Sequence, residues 1–177
     1  MNKLTVTDEI ILSKVTLSDA NNLYAILDEN RTHFRTWLPF VDYLMDVSEM
    51  EDYVKSIEDS DKSGDYVFVI IYGGELVGLV GLKDSDYFNN STEVGYWLSP
   101  DYEGRGIMTL SVAKVVDFAF NTLDMHRVQL RCAEENIQSE AVALRTGFTY
   151  EALIHDGELM VDGSYANLKL YYQLNSK

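Results

Sequence analysis

The chain holds one cysteine, two prolines and three histidines in 177 residues. One thiol rules out an internal disulfide, and Cys132, inside a predicted strand, reads as an inert core side chain. His33, His126 and His155 are scattered and no C-x-x-C pair exists, so no metal site is expected. No apolar run approaches the roughly 20 residues of a membrane span. The N-terminus shows no basic segment leading into an apolar one, so no secretory leader is expected and the protein is read as cytoplasmic. Basic residues are scarce: 14 Lys and Arg stand against 29 Asp and Glu, a net charge of −15. Phosphate backbones call for a basic footprint, so direct nucleic-acid binding is not expected.

A hydrophobic content of 46% and a charged content of 24% are ordinary for a globular protein. The length suits one domain, residues 1–177, with a sizeable core. No linker, repeat or low-complexity run interrupts it. Glu9 to Val15 alternates as a strand, and Ser18 or Asp19 is placed to cap a helix that buries Ala20, Leu23, Ile26 and Leu27. Pro39 ends that region. Ser48 to Ile57 reads as an acidic helix. Tyr66 to Tyr72 and Leu76 to Leu82 read as a hairpin through Gly73-Gly74. Thr92 to Leu98, Arg127 to Ala133, Phe148 to Leu153 and Tyr165 to Leu174 read as further strands. Helices are expected from Ile107 to Leu123 and after Asn136, the second ending at Gly147.

The most informative stretch is Ser99-Pro-Asp-Tyr-Glu103-Gly104-Arg105-Gly106-Ile107-Met108-Thr109. A strand enters it and a helix leaves it. Unpaired N–H groups and the dipole at a helix start favour an anion, and glycines let the backbone approach it closely. The stretch matches neither a nucleotide P-loop nor a dinucleotide fingerprint. Downstream come Asn136-Ile-Gln-Ser139 and Gly147-Phe148.

Together these motifs resemble the GNAT (GCN5-related N-acetyltransferase) superfamily. Glu9-Ile-Ile-Leu12, Asp19-Ala20, Arg35-Thr-Trp37-Leu38-Pro39-Phe40, Asp156-Gly-Glu158, Asp162-Gly-Ser-Tyr165 and Leu170-Tyr171 resemble its RimJ/RimL-type ribosomal-protein branch. The resemblance spans nearly the whole chain. It implies a mixed α/β fold: a mostly antiparallel twisted sheet, splayed between the strand ending at Leu98 and the strand from Arg127, with helices on both faces. It implies acetyl-coenzyme A as co-substrate, with the pantetheine arm in the split, and acetyl transfer directly to an amine. By the same resemblance Leu98, Gly104, Arg105, Gly106, Ile107, Met108, Thr109, Asn136 and Ser139 bind the cofactor. The backbone N–H of Leu98 is the oxyanion donor, Glu158 the base and Ser139 the acid or thiolate stabiliser. Trp37 and Phe40 are candidate walls of the acceptor pocket.

The sequence also departs from the family. Ala143 stands where many members carry a tyrosine general acid. Glu103 replaces the usual glutamine or arginine, and Met108 the usual glycine or alanine. Arg105 and Thr109 are the candidates to compensate for Glu103. The expected acceptor is the N-terminal amine of a protein, of a ribosomal protein in particular. A polyamine or another small amine is the alternative, and a noncatalytic acyl-coenzyme A sensor is the alternative of another class. A second copy of the chain is a candidate partner. Asp42, Asp46, Glu49, Glu51, Asp52, Glu58, Asp59, Asp61 and Asp65, against Lys55 and Lys62, either solvate a surface or steer a cationic acceptor.

Overall fold

The computed structural model describes residues 2–59 and 64–176, the side chains of 58 and 59 excepted. Eight strands form one sheet: β1 (Lys3–Thr5), β2 (Ile10–Lys14), β3 (Tyr66–Tyr72), β4 (Glu75–Asp86), β5 (Ser91–Leu98), β6 (Arg127–Ala133), β7 (Thr149–Leu159) and β8 (Tyr165–Leu174). Their spatial order is β1-β2-β3-β4-β5-β6-β8-β7. Every neighbouring pair is antiparallel except β5 and β6, which run parallel. The parallel step requires a crossover, and α4 (Ile107–Asn121) supplies it. The other helices are α1 (Ala20–Glu29), α2 (Arg31–Phe34), α3 (Val47–Asp59) and α5 (Ile137–Arg145).

Strand alternation divides the core between the two faces. Val67, Val69, Leu79 and Trp97 pack with α1 and α3. Phe68, Ile70, Val80, Leu82, Val94 and Leu98 pack with α4 and with Val142 and Ala143 of α5. Helices therefore cover both faces, as the resemblance implied. Gly73 (φ 58°) and Gly74 (φ 92°) turn β3 into β4, because two consecutive positive φ values match the twist of a tight hairpin.

Several boundaries differ from the sequence reading. β1 is an added strand, too short to show a period, that pairs with β2 from Lys3↔Ser13 to Thr5↔Ile11. Neither Ser18 nor Asp19 caps α1. Asp19 instead turns its carboxylate back to the N–H (2.8 Å) and hydroxyl (2.9 Å) of Thr16, which starts a short 3-10 turn. β7 does not stop at Leu153. It continues to Leu159 through a bulge, so Glu158 lies on a strand and not in a loop.

The α5 start behaves as its sequence suggests. Asn136 accepts the N–H of Ser139 at 3.0 Å. Gly147 takes φ 87°, and the Phe148 N–H reaches back to the Ala143 carbonyl. Glu140 fastens α5 to β8 by accepting from Tyr171 Oη (2.5 Å) and Lys169 Nζ (2.9 Å). The tyrosine bond first, then the lysine, hold its carboxyl below the usual range. A depressed carboxyl stabilises the fold above its unfolded pKa and loses that contribution as pH falls through the folded value. Glu140→Gln is therefore expected to lower Tm by about 2–4 °C at neutral pH. The gap should close in thermal melts below about pH 4, and a gap that persisted there would show a packing effect instead.

Candidate active site

The site begins where the sheet forks. β5 and β6 pair only at Ser91↔Arg127, Thr92↔Val128 and Glu93↔Gln129. Beyond Glu93 the two strands part, with β5 still held by β4 and β6 still held by β8. A cleft of about 1520 Å³ occupies the fork and is lined from both helical faces. That exceeds the roughly 300–1,000 Å³ of a pocket for one small molecule, and leaves room for two reactants. Ser99 donates its N–H to the Val77 carbonyl at 2.8 Å, on the β4 side. Successive amides alternate sides along a strand, so the Leu98 N–H faces the fork.

On the α4 side, Gly104 (φ 73°) and Gly106 (φ 75°) shape the loop entering the helix. Gly106 is the left-handed N-cap of α4, with no side chain capping the helix. Nothing lies within 4 Å of a Cβ placed on either glycine. Their requirement is thus conformational, and the bare helix start is open to an anion. Gly104, Gly106, Ile107, Met108 and Thr109 line the cleft with Leu98, Asn136 and Ser139. Met108 is 8% exposed and belongs to the core beneath the loop, which is how a large residue fits there.

Arg105 is the one candidate that does not line the cleft. Its guanidinium lies over the Tyr102 ring, 5.1 Å from the centroid, and donates to the Asp101 carbonyl at 2.9 Å. Glu103 points across the cleft mouth. One oxygen is 3.1 Å from His33 Nε2 of α2, and the other accepts from Gln138 Nε2 of α5 at 3.3 Å. The carboxylate that threatened an incoming phosphate is turned onto these two side chains.

On the opposite face Trp37 and Phe40 line the cleft, joined by Phe34, Leu38, Tyr43 and Tyr53. Tyr43 is 76% exposed and Phe40 43% exposed. Glu158 also lines the cleft. Its position follows from the bulge, which absorbs the residues between Ile154↔Leu168 and Glu158↔Ala166. Asp156 takes φ 49° there. Gly157 must lack a side chain, because a Cβ would come within 2.9 Å of Leu168 Cγ and 3.2 Å of Ile154 Cγ2. His155 is exposed and does not line the cleft.

Sequence reasoning missed a second carboxylate, Glu93, only 3% exposed at the point where the strands part. Lys83 Nζ sits 3.0 Å from one of its oxygens, and Arg131 Nε donates to the other at 2.5 Å. The available signal was a lone acid inside the apolar run of β5. The partners were not readable, since Arg131 is 38 residues away. Tyr96, whose hydroxyl is 2.8 Å from Ser139 Oγ, was missed as well.

The acidic segment is mostly occupied with structure. Asp42 takes Arg35 at 2.6 Å, and Asp46 accepts from the N–H and hydroxyl of Ser48. Glu49 accepts the N–H groups of Met45 and Asp46, while Glu51 and Asp52 flank Lys55. Asp65 accepts the Ser85 N–H. The carboxylates of Glu58, Asp59 and Asp61, together with Lys62, lie outside the described residues. Of the described carboxylates in the segment, Glu49 alone lines the cleft.

Among the described residues no group of three or more His, Cys, Asp or Glu could hold a metal ion, and no helix is long and apolar enough to cross a membrane.

Residues 9–149 match the acetyltransferase (GNAT) domain family. The Bacillus subtilis protein YdaF, provisionally named as a ribosomal N-acetyltransferase, is 31% identical over 96% of this chain and 92% of its own. Spermidine N(1)-acetyltransferase of Escherichia coli is 28% identical over 80% of this chain and 73% of its own. Among solved structures, the microcin C7 self-immunity acetyltransferase in complex with acetyl-CoA and AMP superposes with a TM-score of 0.88. It is 25% identical, with 96% of this chain and 94% of that one covered.

Proposed function

Since the chain belongs to the GNAT family and is an acetyl-CoA-dependent N-acetyltransferase, we propose that its acceptor is the N-terminal amine of a protein, a ribosomal protein being the first candidate. The observation that carries this is how many of the carboxylates lining the cleft are already occupied. A polyamine is a flexible polycation and needs carboxylates free to meet it. Here Glu93 is shared by Lys83 and Arg131, Glu103 by His33 and Gln138, and Glu49 by two backbone N–H groups. Among the described residues Glu158 forms no hydrogen bond or close ion pair, and it shares only the longer-range field of Arg131. One such carboxylate in a cleft that also carries an aromatic wall suits one amine carried on a peptide. The ribosomal acceptor in the name of the Bacillus relative supports the same reading. The spermidine enzyme keeps the polyamine as the second reading.

In this mechanism the phosphates of acetyl-CoA rest on the N–H groups at Gly104 to Thr109, and the pantetheine amides lie along the open edges of β5 and β6. Asn136, whose side-chain oxygen already caps α5, holds that arm with its amide nitrogen. An α-amine has a pKa near ~8, so it sheds its proton with modest help, whereas a lysine side chain near ~10.4 requires more. Glu158 takes that proton, directly or through water. The nitrogen attacks the thioester carbonyl, the Leu98 N–H stabilises the oxyanion, and the attacking nitrogen passes its second proton to water. The C–S bond then breaks, its electron pair leaves with sulfur, and the Ser139 hydroxyl stabilises the thiolate.

The test is release of free coenzyme A with three acceptor classes: peptides with a free N-terminus, N-blocked lysine peptides, and spermidine. Free N-termini are expected to exceed both others in kcat/KM by at least about tenfold, corresponding to ~1.4 kcal/mol of preference. Spermidine turning over as well as the best peptide would overturn the peptide reading.

A further inference from the structure

α5 carries no phenol where many family members place one: Ala143 is fully buried under the helix, at 0% exposure. A phenol nevertheless reaches the first turn of that helix from the other side of the fork. Tyr96 lies on the parted segment of β5, on the face shared with Val94 and Leu98. Its hydroxyl is 2.8 Å from Ser139 Oγ and 3.3 Å from the Ser139 carbonyl oxygen. Both side chains line the cleft with Asn136 and Cys132.

The direction of the short bond follows from its chemistry. A phenol is a far stronger acid than an aliphatic hydroxyl and is the better donor. The Tyr96 proton therefore goes to Ser139 Oγ, the nearer of its two acceptors. Ser139 has one proton of its own, which that bond leaves to point elsewhere, either to the neighbouring Cys132 thiol or into the cleft. The serine's backbone N–H is already spent on Asn136 Oδ1 at 3.0 Å, which leaves the side-chain hydroxyl to turn. Burial pushes the Tyr96 phenol above its ordinary pKa, which keeps it a donor throughout the neutral range.

We propose that Tyr96 is a positioning residue: by donating to Ser139 Oγ it turns the serine proton into the cleft, toward the sulfur that leaves as coenzyme A. The inference rests on the role of Ser139 under the proposed function. No proton leaves Tyr96 in the step. As the C–S bond breaks, the developing thiolate accepts a hydrogen bond from Ser139, and the free thiolate is protonated by solvent. A tyrosine on β5 thus performs this orienting task from across the fork.

The test is a double-mutant cycle on the full chain, with single-turnover acetyl transfer to whichever panel amine reacts fastest. Tyr96→Phe keeps the ring and removes only the oxygen. It is expected to slow acetyl transfer by about 5- to 50-fold and leave acetyl-CoA affinity within about twofold. In a Ser139→Ala background the same change should cost nothing further. Fluorotyrosine at position 96, a more acidic phenol of nearly the same shape, should retain or raise the rate. A ring that served only as packing would instead give equal losses in both backgrounds, or a fall in Tm with no loss of rate, and either result overturns the inference. A Ser139→Ala enzyme with the normal rate overturns the serine role itself. A normal Ser139→Ala rate is thereby distinguished from failure of Tyr96 alone.

Discussion

Glu158→Gln is expected to lower the turnover number by about 10- to 1,000-fold, within or just below what a positioned base contributes, and to leave acetyl-CoA affinity and Tm unchanged. The split follows from where this carboxylate sits. Glu158 is exposed, lines the cleft beyond a bulge, and among the described residues forms no close ion pair, sharing only the longer-range field of Arg131. Its loss strands no buried partner, so stability has no reason to move. Glu93 provides the contrast. It is buried and shared by two cations, so Glu93→Gln should depress Tm as well as rate. Kinetics, donor calorimetry and thermal melts on the two variants separate the roles. If Glu158→Gln kept full turnover, water would be the base.

Gly106→Val is expected to weaken acetyl-CoA binding by about 5- to 150-fold, the equivalent of ~1–3 kcal/mol of backbone strain. Gly106 caps α4 with φ 75°, a value that a β-branched residue adopts only as an outlier. Space is not the obstacle, since nothing lies within 4 Å of a Cβ there. The valine variant must either hold a strained loop or re-aim the N–H groups that meet the phosphates. Gly163→Val is the matched control. Gly163 has φ 84° and equally open surroundings in the β7–β8 turn. It should lose stability without losing donor affinity. Equal donor affinities for wild type and a folded Gly106→Val protein, measured by calorimetry, would remove the loop from the binding site.

The sequence reveals this architecture wherever the cause is local. Gly104-x-Gly106 ahead of an apolar helix, Asn136 before α5 and Gly147 after it each act on neighbours within a few residues, and each appears in the expected place. β3, β6 and β8 keep their expected limits because alternation runs through each and polar or glycine turns flank them. Failures occur where distant strands supply the cause. Glu158 joins β7 because Leu168 and Ala166 stand opposite the bulge, and no pattern near Glu158 encodes them. Arg105 reads as a phosphate partner until the ring of Tyr102 and the carbonyl of Asp101 turn it outward. Glu93, Lys83, Arg131 and Tyr96 read as ordinary strand residues, and only the fork makes them neighbours of one cleft.

The fork also divides the molecule as a folding problem. β1 to β5 form one continuous antiparallel run, and β6, β8 and β7 form another. Three register pairs join them, with α4 as the covalent bridge. Neither run needs the other to complete its own hydrogen-bond ladder, so beyond those three pairs the seam is held by shared core packing, with Val128, Leu130 and Tyr171 in one cluster with Phe68 and Leu98. A molecule lying in that seam would contact both runs at once, so its binding energy would add to that packing in holding them together. Coenzyme A would then act as a co-substrate and as a clasp between the two runs.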